Sequence, residues 1–181
     1  MFGFLKQLKQ LKKSMTDQLE QSHRYLEMSS SELQQLSDSE LFQAALTRTE
    51  DKVDQYENST DGIKTLSHAE QVFYVTSLYE MEVLNGGLCQ YFVNSSRETA
   101  PQLSEALAEI GAVEHQALFD RFIQENEIDV FDLSSFKIAK LKDYQAQAER
   151  YPFEAFDNAF MELKPIQDIL PSYVRIKLDE F

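Results

Sequence analysis

Between Tyr79 and Ser96 the chain gathers Glu80, Glu82, Asn85, Gly86, Gly87, Cys89, Gln90, Tyr91, Asn94, Ser95 and Ser96 among apolar neighbours. It is the nearest approach to a chemical site, and its spacing argues against each chemistry in turn. Glu80 and Glu82 are two positions apart, so on a helix they point to different faces and make poor partners for a shared metal or an acid-base pair. Cys89 has no histidine close in sequence to activate it, and His23, His68 and His115 form no His-Glu-x-x-His pattern. Asn85-Gly86-Gly87 lacks the Lys-Ser or Lys-Thr with which a phosphate loop holds a nucleotide and its metal. The expectation is a chain with no catalytic residues, no metal ligands and no cofactor.

The same residues make sense as structure. Glu82, Asn85, Gln90, Tyr91, Asn94, Ser95 and Ser96 would be costly to bury without partners. The double glycine permits left-handed backbone or close helix approach. Together they predict a tight helix-turn-helix corner, with the side chains of Asn85 and Asn94 bonding backbone groups at helix ends.

The elements that must position this corner read as helices throughout. The chain has 181 residues, 43% hydrophobic content, 13 Phe and 8 Tyr, enough for one good core and too apolar for a disordered acidic chain. Phe4, Leu5, Leu8, Leu11 and Met15 recur at helical spacing while Lys6, Lys9, Lys12 and Lys13 fill the other face, so residues 1–28 read as a basic amphipathic helical segment. Ser29 to Ser31 break it, and residues 29–181 read as an acidic helical domain. Ser37 or Asp38 caps a helix through Tyr56, closed by a connection at Asn58 to Gly62. Ser67 and Glu70 form a capping box for a long apolar helix that Asn85-Gly86-Gly87 should stop. Pro101 marks a first turn, Gly111 a C-terminal cap, and Val113 the start of the next helix, which ends in the acidic stretch Glu125 to Asp132. Phe136–Tyr151, Phe153–Lys164 and Ile166–Leu178 complete the pattern, punctuated by Pro152, Pro165 and Pro171. The predicted architecture is all-α, a single-domain array of about eight helices.

Charge narrows the partners. The net charge is -14, concentrated in residues 14–61 and 80–132. Such a surface repels nucleic acid, so no direct nucleic-acid binding is expected, and it favours a basic protein, including one that itself binds DNA. The candidate contact acids are Glu50, Asp51, Asp54, Glu57 and Asp61, then Glu105, Glu109, Glu114, Asp120, Glu125 and Glu127. The single Cys89 excludes an internal disulfide. Lysines interrupt any signal-length apolar run at the start, and nothing later approaches a membrane span. A cytoplasmic protein without membrane contact is the expectation.

The run Glu82-Val83-Leu84-Asn85-Gly86-Gly87, then Gln90-Tyr91-Phe92 and Asn94-Ser95-Ser96, followed by Ala106-Leu107 and Ile110-Gly111-Ala112, resembles the bacterial DNA-mimic protein family. The family pattern carries a glycine after Asn-Ser-Ser where this chain has Arg97, so the following turn is expected to differ. The resemblance implies a helical domain whose acidic surface imitates duplex DNA toward a DNA-binding protein, and it casts the motif itself as scaffold. If one helix persisted, Asp54, Glu57 and Asp61 would step by about 4.5 to 6 Å, against roughly 3.4 Å per phosphate along one strand. A rival reading has the basic N-terminal helix docking on the acidic body of a second copy, giving a self-associating structural protein and a homodimer. A third, an immunity-type inhibitor of a basic toxin, shares the electrostatics of the first.

Overall fold

Apolar positions repeating every three or four residues form helices along the chain. The computed structural model describes the backbone of residues 2–181, and the side chains of these apart from 2–12, 14, 15 and 141. The order is α1 (Phe2–Glu27), the one-turn α2 (Ser30–Leu33), α3 (Asp38–Val53), the one-turn α4 (Ser59–Ile63), α5 (His68–Val93), α6 (Ala100–Glu109), α7 (Val113–Glu125), α8 (Leu141–Ala148), α9 (Phe153–Met161) and α10 (Leu170–Ile176). Tight 3-10 turns occupy Ser95–Thr99, Ser134–Phe136, Ile166–Asp168 and Leu178–Glu180. The array is all-α among the described residues, and the eight longer helices match the number expected.

Local signals set most boundaries. Ser37 accepts the Glu40 amide at 3.4 Å while the Glu40 carboxylate accepts the Ser37 amide at 3.1 Å, a reciprocal cap that starts α3. Ser67 and Glu70 do the same for α5, at 3.1 and 2.9 Å. Pro101 stands in the first turn of α6, and Gly111 follows its end. α9 ends at Met161, short of Lys164, and Ile166–Leu178 divides into a 3-10 turn and α10. Three further boundaries differ from the sequence reading. α3 stops at Val53, short of Tyr56, because Asn58 caps the separate α4, accepting the Thr60 amide at 3.0 Å. Val53, Ile63 and Leu66 then form a small satellite core. Gly62 is needed for that return: a Cβ there would stand 2.6 Å from the Val53 carbonyl oxygen. Phe136–Tyr151 is not one helix but a 3-10 turn, an extended passage and α8, and the chain folds back so that Phe136 stacks on Tyr151 at 5.7 Å from the other end of α8. Third, α5 bends at Gly86–Gly87 and resumes to Val93 instead of stopping.

α5 is apolar around its whole circumference, as a central helix must be. Phe73, Tyr79, Leu88, Tyr91 and Phe92 are fully buried in the main core with Leu41, Leu103, Leu107, Phe119 and Ile166. Tyr79 lies edge-on to Tyr91, Phe119 and Phe160 at 5.3, 5.9 and 5.6 Å, geometry that favours aromatic pairs.

Arginines close the helix C-termini, whose last carbonyls lack intrahelical donors. Arg48 donates to the carbonyls of Tyr25 (2.7 Å), Met28 and Phe181 (2.8 Å). Arg175 donates to Gln34 and Leu36 at 3.0 and 2.7 Å. Through Arg48 and the buried Tyr25, the last turns of α1 are fixed to the body. Earlier in α1, Lys13, Thr16, Asp17, Gln18, Leu19 and Glu20 are all exposed. The apolar stripe Phe4, Leu5, Leu8, Leu11 and Met15, with Lys6, Lys9 and Lys12, lies outside the described side chains.

Candidate functional site

The corner is built around one carboxylate. Glu82, buried on α5, accepts Gln90 Nε2 at 2.8 Å, Asn94 Nδ2 at 2.9 Å and Ser96 Oγ at 2.9 Å. Tyr91 is buried beside it and shares a 2.8 Å hydrogen bond with Thr99. Between Glu82 and its donors the backbone breaks. Gly87 holds φ 77 and ψ 176, a conformation L-residues avoid, and a Cβ there would stand 2.2 Å from Asp157 Oδ2. The Asp157 carboxylate accepts the Leu88 amide at 2.9 Å and so caps the second half of α5. Tyr144 donates to the Gly86 carbonyl at 3.0 Å. Burial pushes the Asp157 carboxyl above the ordinary range, against the opposing pull of the Leu88 amide.

Two expectations at the corner are corrected. Asn94 bonds the Glu82 carboxylate and not a backbone group. Asn85 is exposed, with no side-chain hydrogen bond among the described residues, because the break places it at the mouth of a cleft. Ser95 is exposed in the 3-10 turn, while its neighbour Ser96 is buried. The Arg97 difference has a physical counterpart: its guanidinium donates to the carbonyls of Val93 and Asn94 at 2.8 and 2.7 Å, closing the end of α5.

Cys89 lies at the corner, beside Tyr144, while His115 and Glu80 bond elsewhere. Burial raises the Cys89 thiol to about 11, partly offset by the Tyr144 hydroxyl, which keeps it protonated at neutral pH. His115 is buried and donates through Nε2 to the Lys164 carbonyl at 2.8 Å, and burial lowers its pKa. Glu80 accepts the Ile166 and Gln167 amides at 2.5 and 2.8 Å, an N-terminal cap supplied from 86 residues away. Among the described residues no three His, Cys, Asp or Glu side chains are grouped to hold a metal ion, and no helix is long and apolar enough to cross a membrane.

The acids fall into unlike sets. Glu50 and Asp51 close α3, Asp54 caps its end, Glu57 follows in the turn, and Asp61 lies on α4 with Lys64 at 2.8 Å. Lys52 stands among them, bonded to the buried Glu70. The helical stepping of Asp54, Glu57 and Asp61 is therefore absent, since the chain turns back at Asn58. Glu50 is crowded at the edge of the cleft, where desolvation first and Asp54 second push its carboxyl upward. On α6 and α7, Glu105, Glu114 and Glu125 are exposed without a hydrogen bond or ion pair among the described residues, as is Glu127 in the turn after α7. Asp120 accepts Ser104 Oγ at 3.0 Å in the seam between the two helices. Glu109 is tied inward, to His68 at 2.8 Å and Tyr173 at 2.7 Å. Desolvation raises that carboxyl, but the bonds from Tyr173 and His68 outweigh it and leave it lowered.

The second feature is a cleft of about 320 Å³ between α3 and α5, lined by Phe42, Leu46, Glu50, Tyr74, Leu78, Met81, Leu84 and Asn85. Met81 and Leu84 remain half exposed on its rim. Sequence periodicity assigned these residues to helices and gave no signal that two helices would leave a gap between them.

Fold and corner together define an all-α domain organised on a kinked central helix whose polar residues are bonded inward. The chain belongs to the DMP19-like protein family, whose model matches residues 64–177, from the approach to α5 through α10. No curated protein and no solved structure matches the chain.

Proposed function

We propose that this chain is a non-enzymatic protein-binding module whose acidic face occupies the nucleic-acid site of a DNA-binding protein. The observation that carries the reading is the contrast between its two sets of acids. Glu105, Glu114, Glu125 and Glu127 reach solvent on and beside α6 and α7, inside the family-matched region and with no cation bonded to them among the described residues. Arg121 is the one exposed cation on this hairpin. The α3–α4 acids are interrupted by Lys52 and Lys64. The Glu82 corner serves as scaffold, holding the second half of α5 against α6. Membership of the DMP19-like family, the family of DNA mimics to which the motif pointed, supports the same reading.

The test is competition. A basic DNA-binding protein captured by the full chain should be displaced by duplex DNA and released by salt, because exposed charges are screened within about 8 Å at physiological ionic strength. Changing Glu105, Glu114 and Glu125 together to Gln should slow association and leave the melting temperature nearly unchanged. Binding indifferent to both DNA and salt would overturn the reading.

A further inference from the structure

The cleft between α3 and α5 shares no residue with the α6–α7 acids and plays no part in the function proposed above. Its walls are mainly apolar, with Phe42 and Leu46 one turn apart on α3 and Leu78, Met81 and Leu84 on α5. From Tyr74 to Leu84 the lining runs about 15 Å along α5, the rise of ten helical residues. Met81 and Leu84 are 48% and 53% exposed, so the apolar surface continues past the cavity onto the outer face of α5. A volume of about 320 Å³ stands at the lower end of small-molecule pockets, roughly 300–1,000 Å³, and a ligand that filled it would leave this rim in water. The shape fits an occupant that inserts a few side chains and lies across the mouth.

The polar groups at the cleft divide in two. Ser77 donates to the Phe73 carbonyl at 2.8 Å, and Glu80 accepts the Ile166 and Gln167 amides, so both are satisfied within the fold. Glu50, Asp54 and the Tyr74 hydroxyl have no side-chain hydrogen bond or ion pair among the described residues, and they lie together: burial first, then the charges of Glu50 and Asp54, push the Tyr74 hydroxyl up. Glu50 and Asp54 stand four residues apart at the C-terminal end of α3, where the helix dipole is already negative and carboxylates at that spacing repel each other. No Lys, Arg or His lines the cleft among the described residues, and Lys52 is turned to Glu70. An apolar channel that ends in unpaired negative charge at a helix C-terminus is complementary to apolar side chains followed by a cation. We propose that the cleft receives a helical segment of a partner protein with large aliphatic side chains at i, i+4 and i+7 and an arginine one turn beyond. The aliphatic chains pack among Leu46, Met81 and Leu84, and the guanidinium, whose planar fork suits carboxylates, meets Glu50 and Asp54. The span from i to i+7 is about 10.5 Å, within the length of the lining.

The test is fluorescence anisotropy of the full chain with a labelled helical peptide of about 15 residues. The peptide is built on alanine and glutamine, with leucines at i, i+4 and i+7 and an arginine one turn beyond each end of the leucine stripe, so that either orientation serves. Saturable binding is expected. Alanine in place of the leucines, or Met81→Gln with Leu84→Gln in the protein, should weaken it at least about tenfold. Glu50→Gln with Asp54→Asn should weaken it about fivefold and remove most of its salt dependence, yet leave unchanged the binding of a peptide with glutamine in place of arginine. All four positions are exposed, so these variants should keep at least the parent melting temperature. Changing Glu105, Glu114 and Glu125 to Gln should leave peptide binding as in the parent, which separates this outcome from that of the mimic reading. No saturable binding up to about 1 mM, binding untouched by the Met81 and Leu84 changes, or equal affinity for a peptide with glutamate in place of arginine would each overturn the proposal. A dimer of the chain alone that Met81→Gln with Leu84→Gln dissolves would give the cleft to a second copy, and uptake of octylammonium without the peptide would give it to a small amphiphile; either would overturn it as well.

Discussion

Asn94 donates its carboxamide to the Glu82 carboxylate at 2.9 Å across the break at Gly86–Gly87, so side chains 12 positions apart hold together two halves of one bent helix. Gln90 and Ser96 complete the ring of donors. Replacing Glu82 with Ala leaves three donors without their acceptor, and buried groups stripped of partners carry a desolvation cost. The expected loss is about 3 kcal/mol or more in urea denaturation. A loss under about 1 kcal/mol would show that the corner does not depend on this hub.

The two glycines should respond in order. Ala at Gly87 places a Cβ against Asp157 and keeps a positive φ, for an expected cost of about 1–3 kcal/mol. Gly86 has φ -163, which any residue adopts, and its Cβ would meet the flexible end of Gln90 at 2.1 Å. Gly86→Ala should therefore cost less, through loss of the Gln90–Glu82 bond. Thermal melts that reverse the order would contradict the assigned geometry.

Asp157 gives a pH signature. Its folded carboxyl is raised by burial, so between the unfolded value near about 4 and the folded value the native state binds more protons than the unfolded state. Stability contributed by this group is full below that window and is lost as pH rises through it. Asp157→Asn can still accept the Leu88 amide and has no proton to release. The difference in unfolding free energy between variant and parent should shift in favour of the variant as pH rises from about 4. A pH-independent difference would place the shift elsewhere.

Arg48 reaches three carbonyls with a planar fork that a lysine ammonium cannot reproduce. Arg48→Lys should cost about 2 kcal/mol by chemical denaturation and raise proteolytic cleavage near Met28, where the end of α1 loses its tie. Equal cleavage in parent and variant would remove Arg48 from that role.

What the sequence disclosed follows the range of each interaction. The caps at Ser37 and Ser67 and the signals at Pro101 and Gly111 are local, and they fell where expected. Crowding of polar residues from Glu82 to Ser96 marked the corner, but not that Glu82 is its hub, because its donors lie across a bend that periodicity cannot register. Asp157 and Tyr144, which hold the bend from α9 and α8, are 69 and 58 residues from their partners and left no pattern. Phe136 and Tyr151 bounded one helical pattern in the sequence, whereas in the fold they stack on each other from either side of α8. Glu109 read as a free surface acid, and only the structure shows it bonded to His68 and Tyr173.

The interruption of α5 also bears on how the molecule opens in time. An unbroken helix of 26 residues would share its hydrogen-bond ladder from end to end. Here the ladder is cut, and Asp157 supplies the restart from another element. Deuterium uptake should therefore divide along α5 into two cooperative units. His68 to Asn85 should open with α3 and α10, and Leu88 to Val93 with α6 and α9. Exchange mass spectrometry would then find a step in protection at Gly86, with the two sides merging only under conditions that unfold the whole chain.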